Sequence, residues 1–210
     1  MYTLWIANKN YSSWSLRPWI LLKALDIPFN EQQCYFENNK SSYEKFKAFS
    51  PTGLVPCLID GKTTVWDSLA IVEYLAEEYA QVWPSEKTAR AWARSAAAEM
   101  HAGFMTLRQT CPMNCAVRKE LDEMTPALQH DIARIDALWT EGLTQFGGEW
   151  LAGDKFTAVD AFYAPVVFRA QTYGLKFSAL SQGWIDRMLK HPAMVEWLAS
   201  AITEPEIVHE

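Results

Sequence analysis

The sequence predicts an α/β domain of order β-α-β-α-β-β-α followed by an all-α domain, and three observations predict it. Short β-branched and aromatic runs occur only in the first third of the chain. Asp60-Gly61 separates two of those runs, a strong hairpin signal. Beyond Trp83-Pro84-Ser85 nothing reads as a strand, and apolar residues recur at helical spacing instead. These place an α/β domain over residues 1–81 and a helical domain over 86–210, with no internal repeat and no low-complexity stretch.

Tyr2 to Ala7 reads as the first strand. Ser12 or Ser13 is a candidate N-cap for a helix from Trp14 to Leu25, with Leu16, Ile20, Leu21 and Leu25 inward and Pro18 disturbing its first turns. Phe29 to Phe36 is a second strand, Glu37 to Ser42 a polar loop and Tyr43 to Phe49 a short helix. Ser50-Pro51-Thr52-Gly53 is turn chemistry. Val55 to Ile59 and Thr63 to Trp66 form the hairpin, and Ser68 to Tyr79 is helical. In the second half the helical patterns are Glu86 to Arg108, Pro126 to Phe146, Thr157 to Tyr173, Trp184 to Leu189 and Ala193 to Ala201. Gly147-Gly148 stops the second of these, and Thr157-Ala158-Val159-Asp160 is a capping-box variant opening the third.

Composition bounds the function. The chain has 210 residues, half of them apolar, which is ample for packed cores. A net charge of −6 argues against nucleic acid as the main partner, because phosphate binding needs a basic face. No apolar run approaches a membrane span, and no secretion signal is visible, so a cytoplasmic protein is expected. Cys34, Cys57, Cys111 and Cys115 are too scattered for a disulfide scaffold. Cys111 and Cys115 lack a second ligand pair to complete a tetrahedral zinc site, so no metal is expected.

Three constellations carry chemistry. Asn10-Tyr11-Ser12-Ser13-Trp14-Ser15-Leu16-Arg17 sits where a strand gives way to a helix. A helix start offers free N–H groups and partial positive charge, and a Ser hydroxyl there can donate to a bound thiolate. A plain Ser N-cap is the simpler reading of the same residues. Thr52-Gly53-Leu54-Val55-Pro56 lies just before a strand; a cis bond at Pro56 would turn the Val55 backbone outward to pair with an extended peptide, whereas a trans Pro would merely open the strand. Trp66-Asp67-Ser68 lies at the next strand-to-helix junction, where Ser68 suits a carboxylate and Asp67 an ammonium, or both serve only as caps.

In order and spacing, these motifs resemble those of the glutathione transferases. Ser12-Ser13-Trp14-Ser15-Leu16-Arg17 looks like the S-S-C-x-x-R motif of the zeta class, the maleylacetoacetate isomerases, with Trp14 in place of the Cys. Val55-Pro56 matches the family's cis-proline, Asp67-Ser68 its acidic-Ser pair for the γ-glutamyl end, and Thr157 to Asp160 its N-capping box in the helical domain.

The resemblance implies a thioredoxin-like first domain, glutathione as co-substrate, a small electrophile as second substrate and a homodimer. It implies Ser12 as the thiolate-stabilising hydroxyl, with Ser13 or Tyr11 as alternatives. It also implies that the Val55 backbone beside Pro56 holds the cysteinyl part and that Asp67 and Ser68 hold the γ-glutamyl end. The second substrate is expected between the domains, near Trp14, Arg17, His101, Phe104, Met105 and Arg108. The expected activity is serine-type glutathione transfer. The alternatives are a glutathione-dependent isomerase, which the loss of Cys at Trp14 disfavours, and a non-catalytic glutathione-binding protein.

Overall fold

The computed structural model describes residues 1–36, 38 and 41–206. Part of the expected Glu37 to Ser42 loop and His209 lie outside these residues.

Strand β1 (Tyr2–Ile6) leads through α1 (Ser13–Ala24) to β2 (Phe29–Gln33), which lies parallel to β1 with Tyr2 opposite Phe29 and Ile6 opposite Gln33. A parallel partner needs a crossover, and α1 supplies it. After α2 (Tyr43–Phe46), β3 (Cys57–Asp60) and β4 (Thr63–Val65) form the expected hairpin, and β3 pairs antiparallel with β1. The hairpin turns at Gly61, whose φ of 57° suits a residue without a Cβ. Sheet order is β2-β1-β3-β4. Helix α3 (Ser68–Glu78) and a single 3-10 turn at Ala80–Val82 complete the first unit. Tyr2, Leu4 and Ile6 alternate inward along β1 and meet Leu16, Trp19 and Ile20 of α1, all buried.

The second unit is helical: α4 (Lys87–Ala102), α5 (Met105–Thr110), α6 (Pro126–Phe146), α7 (Ala158–Tyr173), α8 (Ala179–Lys190) and α9 (Pro192–Ala201). Helix α7 is its axis. Almost all of its residues are buried, and it packs against α4 and α8 of its own unit and α1 of the first. Its start is held by Asp160, whose Oδ2 accepts from the Thr157 N–H at 3.0 Å and whose Oδ1 accepts from the Leu151 N–H and Trp184 Nε1, each at 3.0 Å. Burial pushes the Asp160 carboxyl up from an ordinary 3.8 to about 6, against the pull of those three donors.

Several expected bounds move. The single helix expected over Glu86 to Arg108 is two helices, broken where Gly103 caps α4 and Phe104 takes a left-handed φ of 59°. The break is held from beyond it: Arg108 donates through Nε to the Gly103 carbonyl at 2.8 Å and through Nη2 to that of Met100, satisfying carbonyls that α4 leaves free. β2 ends at Gln33 rather than Phe36, although the Cys34 N–H still bonds the Ile6 carbonyl at 2.9 Å. β3 begins at Cys57 rather than Val55. Helix α8 starts five residues before Trp184, capped by Ser178. Pro18 does not interrupt α1.

Helices α4 and α6 meet with little space at Gly142. A Cβ there would lie 2.3 Å from Cη2 of Trp92 and 2.4 Å from the Leu151 carbonyl oxygen. Gly142→Ala is therefore expected to lower the unfolding free energy by about 1–3 kcal/mol, read in a urea melt, by overpacking a site with backbone on one side.

Candidate active site

Two helix N-termini and one loop converge on a cleft of about 430 Å3. Trp14 from α1, Val55 and Pro56 ahead of β3, Asp67 and Ser68 at the start of α3, and His101 near the end of α4 wall it. Six of the residues expected from the sequence are thus brought together. The Val55–Pro56 and Trp66–Asp67 peptide bonds are both cis.

Asp67 is the N-cap of α3. Its Oδ1 accepts from the N–H groups of Leu69 at 2.9 Å and Ala70 at 3.4 Å, which leaves Oδ2 toward His101, 3.3 Å from Nε2. Ser68 follows as the first helical residue. Its hydroxyl is fully buried and has no hydrogen-bond partner among the described residues. Burial holds His101 below its ordinary pKa of 6.5, with Asp67 opposing and Arg17 and Arg108 assisting, so the imidazole is neutral at neutral pH.

Ser12 and Ser13 are buried and do not wall the cleft. Ser12 is the N-cap of α1, yet its side chain makes no capping bond. It donates to Ser15 Oγ at 2.7 Å, and Ser15 Oγ accepts in turn from the Ala7 N–H at 3.3 Å. The preceding loop is clamped by Glu204, whose carboxylate accepts from the N–H groups of Lys9 and Asn10 at 2.9 and 3.1 Å and from the Gln33 side chain. Asn10 also accepts from the N–H groups of Cys115 and Ala116, which ties the helical unit to this loop.

Arg17, Phe104, Met105 and Arg108 do not wall the cleft either. Phe104 is buried at the α4–α5 break and Met105 projects to solvent. The guanidinium carbons of Arg17 and Arg108 lie 4.2 and 4.8 Å from the centre of the Trp14 ring, so both arginines lie against that cleft wall. Thr52, Leu54 and Trp66, members of the two sequence motifs to which no role of their own was given, also line the cleft. Their signal was adjacency: Leu54 and Trp66 immediately precede Val55 and Asp67.

The thiols show no site of their own. Burial pushes Cys111 to about 11 and Cys115 to about 12, far from thiolate formation at neutral pH. Among the described residues, no group of three or more His, Cys, Asp or Glu side chains is placed to hold a metal, and no helix is long and apolar enough to cross a membrane.

Known proteins resemble this chain in sequence and in fold. The family model "Glutathione S-transferase, N-terminal domain" matches residues 11–78, and "Glutathione S-transferase, C-terminal domain" matches 118–200. Glutathione S-transferase GstB of Escherichia coli K12 is 28% identical, over 92% of this chain and 96% of that protein. A probable maleylacetoacetate isomerase of Caenorhabditis elegans is 27% identical, over 85% of this chain and 81% of its own length. Among solved structures, a glutathione transferase homolog from Burkholderia gl BGR1 with bound glutathione superposes with a TM-score of 0.71 at 21% identity, covering 95% of this chain and 97% of that one. A diazinon-metabolizing glutathione S-transferase of the silkworm Bombyx mori gives 0.75 at 18% identity, covering 96% and 98%.

Proposed function

Since the chain belongs to the glutathione S-transferase family through both of its halves, we propose that the cleft binds glutathione along Val55, Asp67 and Ser68 and directs its thiolate at a small electrophile. The observation that carries the reading is the Ser68 hydroxyl, buried at a helix N-terminus beside the cleft without a partner among the described residues. A buried polar group left unpaired is costly, and a carboxylate is the ligand that a hydroxyl and the first N–H groups of a helix satisfy together. The γ-glutamyl carboxylate meets that need, and the Asp67 carboxylate next to it suits the α-ammonium.

The sulfur is assigned to the start of α1, with Ser12 as the hydroxyl that donates to it. In this structure Ser12 donates to Ser15. Hydroxyl protons rotate, so the pair can reverse: Ser15 donates to Ser12, and Ser12 turns its proton to the thiolate. Stabilising the thiolate lowers the thiol pKa, and the thiolate, its proton having left for solvent, then forms a C–S bond at the electrophilic carbon as the leaving group departs with its bonding electrons.

Calorimetric titration with glutathione tests the binding reading. Ser68→Ala is expected to weaken it about tenfold or more, the value of one hydrogen bond to a charged group. Absence of binding to the unaltered protein would overturn it.

A second reading, glutathione-dependent isomerisation of maleylacetoacetate, is supported by the Ser12-Ser13 pair and opposed by Trp14 at the cysteine position. Turnover of that substrate against a simple aryl halide separates the two.

A further inference from the structure

Arg17 is fully buried, and among the described residues none of its three guanidinium nitrogens has a hydrogen-bond partner. Its flat faces meet aromatic rings instead, Trp14 at 4.2 Å and Phe162 at 5.1 Å. Arg108 stacks on the same Trp14 ring from α5. Arg169, buried on α7, gives Nε to the Cys111 carbonyl at 2.9 Å and leaves Nη1 unpaired. None of the three forms an ion pair among the described residues.

Such an arrangement opposes the folded state. Arg17 and Arg169 have left water and Arg108 is half-buried, and Arg108 and Arg169 both disfavour the charge on Arg17. Aromatic faces offset part of the desolvation of a cation but do not accept its in-plane N–H groups. A buried guanidinium with its whole fork free is matched by an oxyanion that accepts two parallel N–H bonds, and a carboxylate has that geometry. Trp14 stands between the fork and the cleft: it walls the cleft, covers two of the arginines and is still 36% exposed.

We propose that Arg17 and Arg108 form a carboxylate subsite behind Trp14, which turns aside as a small carboxylated electrophile enters. Calling that ligand the electrophile rests on the glutathione-transfer reading; the anion subsite itself does not.

The test pairs 4-chloro-3-nitrobenzoate with 4-chloro-3-nitrobenzamide, which match in shape and differ in charge. With each, the thiolate forms a C–S bond at the carbon bearing chlorine and chloride departs with the bonding electrons. Each kcat/KM is divided by the uncatalysed rate, which removes the intrinsic difference in reactivity. The benzoate is expected to be favoured by about tenfold or more, and Arg17→Met to bring that preference close to unity.

Arg17→Met is also expected to raise the melting temperature, because an apolar side chain replaces an unpaired buried charge. A lower melting temperature with the preference retained would make Arg17 a structural cation and end the proposal. Equal use of the two compounds by the unaltered enzyme would end it too.

A binding arm uses 3-nitrobenzoate, which has no leaving group, followed by tryptophan fluorescence with and without saturating glutathione. Saturable quenching that persists with glutathione bound supports the subsite. Competition between the two assigns the arginines to glutathione itself and overturns the proposal. Trp14→Ala, which uncovers the subsite and keeps both arginines though each loses its Trp14 ring contact, is expected to bind 3-nitrobenzoate faster; loss of binding in this variant would overturn the lid. If glutathione does not bind but 3-nitrobenzoate does, and does so through Arg17, the subsite stands and the transferase reading falls.

Discussion

Asp160→Ala is expected to lower the unfolding free energy by about 3–5 kcal/mol, the range for removing one partner from a buried charged network. The carboxylate is costly to bury, as its rise to about 6 records. Removing it is nonetheless worse, because three donors depend on it: the Thr157 and Leu151 N–H groups and Trp184 Nε1. Each would be stranded in a core where water does not replace the oxygen. The damage falls on α7, which joins the two units through α1. A urea melt measures the loss, and a change below about 1 kcal/mol would mean that water enters and satisfies the donors.

Asp160→Asn separates charge from hydrogen bonding. An amide keeps one acceptor oxygen but turns an NH2 toward at least one N–H, so this variant is destabilised as well, by less. It also changes the pH profile. The folded-state pKa is raised, so the fold binds more protons than the unfolded chain between an ordinary 3.8 and about 6. This group's contribution to stability is therefore lost as pH rises through that window, and it is flat above it. Asparagine does not titrate, so the difference in unfolding free energy between the two proteins should change from pH 4 to pH 6 and stay constant from pH 7 to pH 8. A difference independent of pH throughout would show that Asp160 is already ionised at acid pH.

Asp160 illustrates what was legible in the sequence. Thr157 and Asp160 are near neighbours at a helix start, so the local half of the cap could be read directly. Leu151 and Trp184 come from nine residues before and twenty-four after, and no local pattern announces them. The cleft divides in the same way. Val55-Pro56 and Asp67-Ser68 each lie at one end of one element, and their type and order pointed to them. The Asp67–His101 pair joins α3 to α4, and the stacking of Arg108 on Trp14 joins α5 to α1; neither spacing encodes that. The helix break at Gly103 was hidden because apolar residues keep a helical period across it, although Gly103 is itself a stop signal. Arg169 was missed despite a clear sign, a lone basic residue inside the apolar run from Phe162 to Ala170.

Ser12→Ala is expected to reduce kcat/KM for conjugation by about a hundredfold, as for other single donors to a developing or bound anion. Glutathione affinity should change little, because the γ-glutamyl end is assigned to Ser68 and Asp67. The thiolate absorbance of bound glutathione should titrate at higher pH in the variant. The Ser12–Ser15 pair adds a graded control. Ser15→Ala leaves Ser12 its own proton but removes the donor that supports its oxygen when that proton turns to sulfur. The expected loss is smaller, about tenfold. It should come with a smaller upward shift of the same titration, because Ser15 acts through Ser12. Equal loss in the two variants would mean that α1 packing, not hydroxyl donation, sets the activity. An unaltered rate in Ser12→Ala would pass the role to Ser13 or Tyr11. The geometry argues for the graded outcome: Ser15 already accepts from Ser12 and from the Ala7 N–H, so its own proton is the one free to turn back toward Ser12 when a thiolate arrives.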